Sequence, residues 1–92
     1  MAFELELPKE LKAQGWKVKI RDKERVEPPH ATVMRKTSCW RFGLRENGFL
    51  DRQPPPGDVD DKVLKRITES MDDLIKRWDA MYPHNPVKSN DN

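Results

Sequence analysis

The sequence predicts an α+β fold: a short N-terminal helix, a three- to four-stranded antiparallel sheet, and one long C-terminal helix packed on one sheet face. Three observations predict it. Trp16-Lys-Val-Lys-Ile-Arg21 alternates apolar and cationic residues with the period of a half-buried strand. Asn47-Gly48, placed after a further alternating run, is a strong hairpin signal. From Val59 to about Met81, apolar residues recur at Val63, Leu64, Ile67, Met71, Leu74, Ile75 and Trp78, the spacing of one helix face.

The elements follow in order. Pro8 suits a first helical position and Gly15 the position just past a helix end, which predicts one or two helical turns over 8–15. In the strand that follows, Trp16, Val18 and Ile20 face inward and Lys17, Lys19 and Arg21 outward. Asp22 to Pro29 reads as a charged loop stiffened by Pro28-Pro29. A second strand, His30 to Arg35, turns Ala31 and Val33 inward and His30, Thr32 and Met34 outward. Lys36-Thr37 is a tight turn. The third strand, Cys39 to Leu44, turns Trp40, Phe42 and Leu44 inward and Cys39, Arg41 and Gly43 outward. Phe49-Leu50 begins a short fourth strand. Gln53-Pro-Pro-Pro-Gly57 is a rigid linker unsuited to a sheet interior. Asp58 is placed to cap the long helix, with Asp60 and Asp61 favouring its positive end. Pro83 stops it. One domain over 1–82 is expected, followed by a polar, disordered tail over 83–92.

Composition bounds the function. A chain of 92 residues holds one domain at most. Net charge is +2, but residues 1–52 carry 12 Lys and Arg against 8 Asp and Glu, while residues 53–92 carry 6 against 8. The first half is mildly basic, far short of a dedicated nucleic-acid binder. One cysteine, Cys39, excludes an intrachain disulfide and a thiolate zinc site. A cytoplasmic setting is therefore expected. No basic segment followed by an apolar run marks a signal peptide, and no apolar stretch approaches the roughly 18 residues of a membrane span. His30 and His84 are the only imidazoles. Asp60-Asp61 and Asp72-Asp73 lie on a helix, where adjacent side chains diverge by about 100°. Neither a metal nor another cofactor is expected.

Three groups of residues can carry a function. Lys17, Lys19, Arg21, Lys36 and Arg41 share the outward face and could hold the phosphates of RNA; an ordinary solvated sheet face reads the same way. His30, fixed by two prolines beside those cations, is the one candidate acid–base residue, able to deprotonate a ribose 2′-hydroxyl without a metal. Surface histidine making one local hydrogen bond is its other reading. Trp78, Met81 and Tyr82 cluster at the helix end, where they either close the core or present an apolar patch to a protein partner or a second copy of the chain.

The run Trp16-Lys-Val-Lys-Ile, then Glu27-Pro-Pro-His-Ala-Thr-Val33, then Gly48-Phe-Leu and a helix carrying Trp78, resembles an uncharacterised family of small bacterial proteins with a Pro-Pro-His-x-His-Val type motif. The resemblance spans roughly residues 16–82 and implies a place in a toxin–antitoxin-like gene pair. Thr32 stands where that motif has its second histidine. Leu11-Lys-Ala-Gln-Gly15-Trp16 and His30 are also similar to the outline of the HicA-type messenger-RNA interferases, with Pro28-Pro29 replacing the usual small-residue pair. That likeness implies a catalytic role for His30. Two functions are thus expected: a toxin–antitoxin-like protein binding RNA through the basic face, or a non-enzymatic antitoxin or adaptor docking a protein through the helix end or a sheet edge.

Overall fold

A computed structural model describes residues 3–21 and 27–87. Its elements run β1 (Phe3–Glu4), α1 (Lys9–Ala13), β2 (Trp16–Ile20), β3 (His30–Arg35), β4 (Ser38–Gly43), β5 (Gly48–Phe49), a 3₁₀ turn (Pro56–Asp58), α2 (Asp61–Glu69) and α3 (Met71–Met81). The sheet is antiparallel throughout, in sequence order β1-β2-β3-β4-β5. The expected loop over 22–29 falls outside the described residues from 22 to 26, and the end of the expected tail does so from 88 to 92.

The α+β class stands, with five strands where three or four were expected. The added strand is β1. Phe3, Leu5 and Leu7 alternate with Glu4 and Glu6, the same period that marks β2. Phe3 pairs with Ile20 and Glu4 with Lys19, and Leu5 N–H donates to the Val18 carbonyl at 2.8 Å. Leu5 and Leu7 are buried. Gly15 ends α1 at φ 92°, a left-handed conformation that favours glycine.

The predicted register holds. Val18 pairs with Val33, and Val33 with Trp40, so the three central strands place Trp16, Val18, Ile20, Ala31, Val33, Trp40 and Phe42 on one face, all buried. The helical stripe Val63, Ile67, Leu74 and Trp78 is buried in the same cluster. Neither partner would be stable alone: a short amphipathic helix is marginal in water, and a small sheet needs its apolar face covered.

Three local expectations are corrected. The single long helix is two, α2 and α3, meeting at Ser70 (φ −108°). Ser70 lies in the buried stripe, and Arg66 donates to its hydroxyl, so the stripe carries a polar group where the axis breaks. The cap of α2 is Asp60, not Asp58: its Oδ1 accepts from Lys62 N–H at 2.8 Å, while Asp58 closes the 3₁₀ turn. The hairpin after β4 is not a two-residue Asn-Gly turn. Gly43 pairs with Gly48, leaving a four-residue loop in which Asn47 takes φ 53°.

The expected tail is docked through residue 87. Val87 is buried; its N–H donates to Asp79 Oδ1 at 2.8 Å, and Arg45 Nε donates to its carbonyl at 2.8 Å. Among the described residues, no helix is long and apolar enough to cross a membrane.

Candidate nucleic-acid interface

The face of the sheet opposite the apolar cluster carries the polar members of each strand. Lys17 pairs with Met34, Lys19 with Thr32, Thr32 with Arg41 and Met34 with Cys39, so these side chains lie on one surface. Alternate residues of a strand are about 6.7 Å apart, which sets Lys17 and Lys19 side by side along β2, with Arg21 just past the strand's end. Lys17 and Arg21 are exposed and Lys19 half-buried. None of the three makes an ion pair among the described residues. Glu4, exposed on β1, is the cross-strand neighbour of Lys19. Thr32 sits between Lys19 and Arg41 at 3% exposure, its hydroxyl without a hydrogen-bond partner among the described residues. Cys39 is exposed on the same face.

The other two expected cations behave differently. Lys36 is exposed in the β3–β4 turn at φ 55°, beside Trp16, Arg35 and Trp40 rather than among the outward cations. Arg41 is already committed. Its Nε and Nη2 donate to the two oxygens of Asp51 at 3.0 and 2.8 Å, and its Nη1 to Glu27 Oε1 at 3.2 Å. These bonds hold the guanidinium above its ordinary pKa, with the Asp51 hydrogen bond foremost, and burial opposes them. Asp51 is pushed below the ordinary aspartate value, first by the same hydrogen bond, against burial. A cation bound by two carboxylates offers little to a phosphate. The free part of the interface is Lys17 and Lys19 on β2 with Arg21 just past the strand.

His30 is the main correction. Alternation puts it on the outward side with Thr32, but its ring is 0% exposed. Nδ1 lies 2.8 Å from the Pro28 carbonyl, which can only accept, so Nδ1 carries the proton. Nε2 lies 3.9 Å from Glu27 Oε1. The ring packs on Trp78, with centroids 5.6 Å apart. Across the strand pair is Gly43, and a Cβ there would come within 2.8 Å of Leu50 Cδ2, so this end of the outward side is filled by protein rather than water. Asn85 Nδ2 donates to the Glu27 carbonyl at 2.8 Å, tying the C-terminal segment over the same end. A general acid or base must reach the proton it transfers. His30, enclosed by residues 27–28 and 78–85, is a structural residue in this geometry.

The helix-end patch is corrected for the same reason. Trp78 is 0% and Tyr82 7% exposed, with ring centroids 4.2 Å apart. Trp78 Nε1 donates to the Asn85 carbonyl at 2.7 Å, and Tyr82 donates to the Arg21 carbonyl. Only Met81 keeps partial exposure. Trp78 and Tyr82 belong to the buried cluster, and Met81 packs against it. No group of three or more His, Cys, Asp or Glu able to hold a metal occurs among the described residues.

Burial of His30 had no local signal. Pro28-Pro29 marks a fixed backbone, which is as compatible with a ring folded back onto Pro28 as with one held out. Comparison with family models, curated proteins and solved structures finds no match to this chain.

Proposed function

We propose that this chain is a small RNA-binding protein of the toxin–antitoxin-like kind, one that binds a strand across the outer face of its sheet and does no chemistry on it. The observation that carries this reading is the set Lys17, Lys19 and Arg21: two cations on the outward side of β2 and a third just past its end, none in an ion pair among the described residues. Binding of this kind rests on counterion release from the phosphate backbone and is read as a salt dependence. Exposed aromatic side chains that would stack on bases are lacking from this face, so the reading is of a backbone binder with little sequence preference.

The test is the affinity for a short single-stranded oligoribonucleotide as a function of salt. Three phosphate contacts predict a log–log slope of about −2, at about −0.7 per contact. Replacing Lys17 and Lys19 together by Glu abolishes binding at low salt, whereas Lys62→Glu on α2 leaves it unchanged. A wild-type protein that binds no RNA at low salt, or a double variant with an unaltered slope, sinks the proposal.

A further inference from the structure

We propose that a cleft at the turn end of the sheet is a binding site for a small oxyanion, with phosphate as its type ligand. The cleft encloses about 370 Å³ between the β3–β4 turn and the 3₁₀ turn that leads into α2. That volume is in the range of small-ligand sites, about 300–1,000 Å³.

Its lining on the sheet side carries several hydrogen-bond donors, some of them without an acceptor among the described residues. Arg35 is fixed in place: its guanidinium carbon lies 5.2 Å over the Trp16 ring, and Nε donates to the Gln14 carbonyl at 3.0 Å. Its two Nη groups have no partner among the described residues. A planar fork held at Nε and free at Nη is arranged for two parallel bonds to an oxyanion. Lys36 stands next to it without an ion pair among the described residues. Thr37 and Ser38 add hydroxyls from the same turn.

An independent observation points to the same ligand chemistry. Trp16 lines the cleft at 3% exposure, and its indole N–H is buried without an acceptor among the described residues. Buried donors in native proteins nearly always have a partner, so an orphan beside a cleft calls for a water or an anion to satisfy it. The one carboxylate of the lining, Asp58, comes from the 3₁₀ turn and makes no ion pair with Arg35 or Lys36.

This site is separate from Lys17, Lys19 and Arg21, and it stands whether or not the chain binds RNA. Inorganic phosphate is titrated into the full chain while the Trp16 indole N–H and the amides of residues 36–38 are followed by NMR. Saturable shifts at both places are expected. Lys36→Gly weakens binding about three- to tenfold, the loss of one charge-assisted contact. It also folds, because φ 55° is the conformation glycine adopts without strain. Asp58→Asn tightens binding about two- to threefold, the size of an exposed charge effect. The Lys17, Lys19 double variant leaves the titration unchanged, so failure here and failure of the RNA reading are told apart. Shifts that never saturate, or that Lys36→Gly and Ser38→Ala both leave intact, overturn the proposal. Repeating the titration with an oligoribonucleotide bearing or lacking a 5′-phosphate separates two sources of the ligand: a gain confined to the phosphorylated strand assigns the cleft to a strand terminus, and none assigns it to the free anion.

Discussion

The two ends of the sheet use tryptophan in opposite ways. At the end where β2 finishes and β3 begins, Trp78 is wedged between His30 and Tyr82, and its indole N–H is bonded to the Asn85 carbonyl. The neighbouring polar groups are tied as well, His30 to the Pro28 carbonyl, Tyr82 to the Arg21 carbonyl and Asn85 to the Glu27 carbonyl. At the other end Trp16 and Trp40 are tilted together with centroids 5.8 Å apart, and only Trp40 finds an acceptor, the Pro55 carbonyl at 3.1 Å. Trp16 is left with an unmatched donor beside an open cleft. One end is closed by its own hydrogen bonds, and the other keeps an unmatched donor beside the cleft proposed to take an oxyanion. The difference moves both proposals away from His30, Trp78 and Tyr82, which all belong to the closed end, while Lys17, Lys19 and Arg21 stay candidates.

The sharpest way to break this comparison is to truncate a tryptophan of the closed end and edit one of the open end. Trp78→Ala costs about 3–5 kcal/mol, the usual range for a buried aromatic removed without collapse of its site. In a domain whose total stability is at the low end of about 5–15 kcal/mol, that is most of the margin. Trp78→Phe and Trp16→Phe shrink the ring equally, but only the first also breaks an indole hydrogen bond, to the Asn85 carbonyl, so it costs about 1 kcal/mol more. Urea melts of the two phenylalanine variants check the ordering. Equal losses would mean that the two ends are equally closed.

Next in size is His30. Loss of a buried ring and its hydrogen bond in His30→Ala costs about 2–3 kcal/mol. RNA affinity per folded molecule is unchanged, because the cations of the outer face do not depend on the ring. An acid–base role predicts the reverse pattern, with stability nearly intact and any cleavage abolished. Measuring stability and transcript integrity on the same variant separates the two.

This contrast also marks what could be read from the chain. The alternation of Trp16–Arg21, Ala31–Val33 and Trp40–Phe42 gave the correct register, since period two is a local property and one face had to be buried. Phe3, Leu5 and Leu7 carried the same signal for β1, and it went unused because the run is short and lies next to a helix start. The division at Ser70 was hidden because the apolar stripe Val63, Ile67, Leu74 and Trp78 continues in phase across it. Alternation says which side of a sheet a residue takes, and not what else in the chain covers that side. His30 is enclosed by Trp78 and Asn85, some 50 positions away, and no local pattern encodes that meeting. The cleft was illegible for the same reason, as Asp58 meets Arg35 and Lys36 only through the fold.

The smallest expected effect tests how the closed end is joined to the outer face, through Arg41, Asp51 and Glu27. Asp51 is half-buried and bonded by two guanidinium nitrogens, a geometry at the favourable end for a surface pair and worth about 1 kcal/mol. Its pKa in the folded chain lies below the value of about 3.9 that it takes when unfolded. The native state therefore binds fewer protons than the unfolded state in the window between the two values, and stability falls as acid is added there. The contribution is complete above about pH 5 and disappears as pH drops through the folded value. Asp51→Asn removes that dependence. Its stability deficit against wild type is about 1 kcal/mol at pH 7 and shrinks towards zero in acid. Chemical denaturation of both proteins from pH 7 down to about pH 2 measures it. A deficit that stays constant across that range would mean that Arg41 is held by Glu27 alone, and would return Asp51 to the status of an ordinary exposed carboxylate.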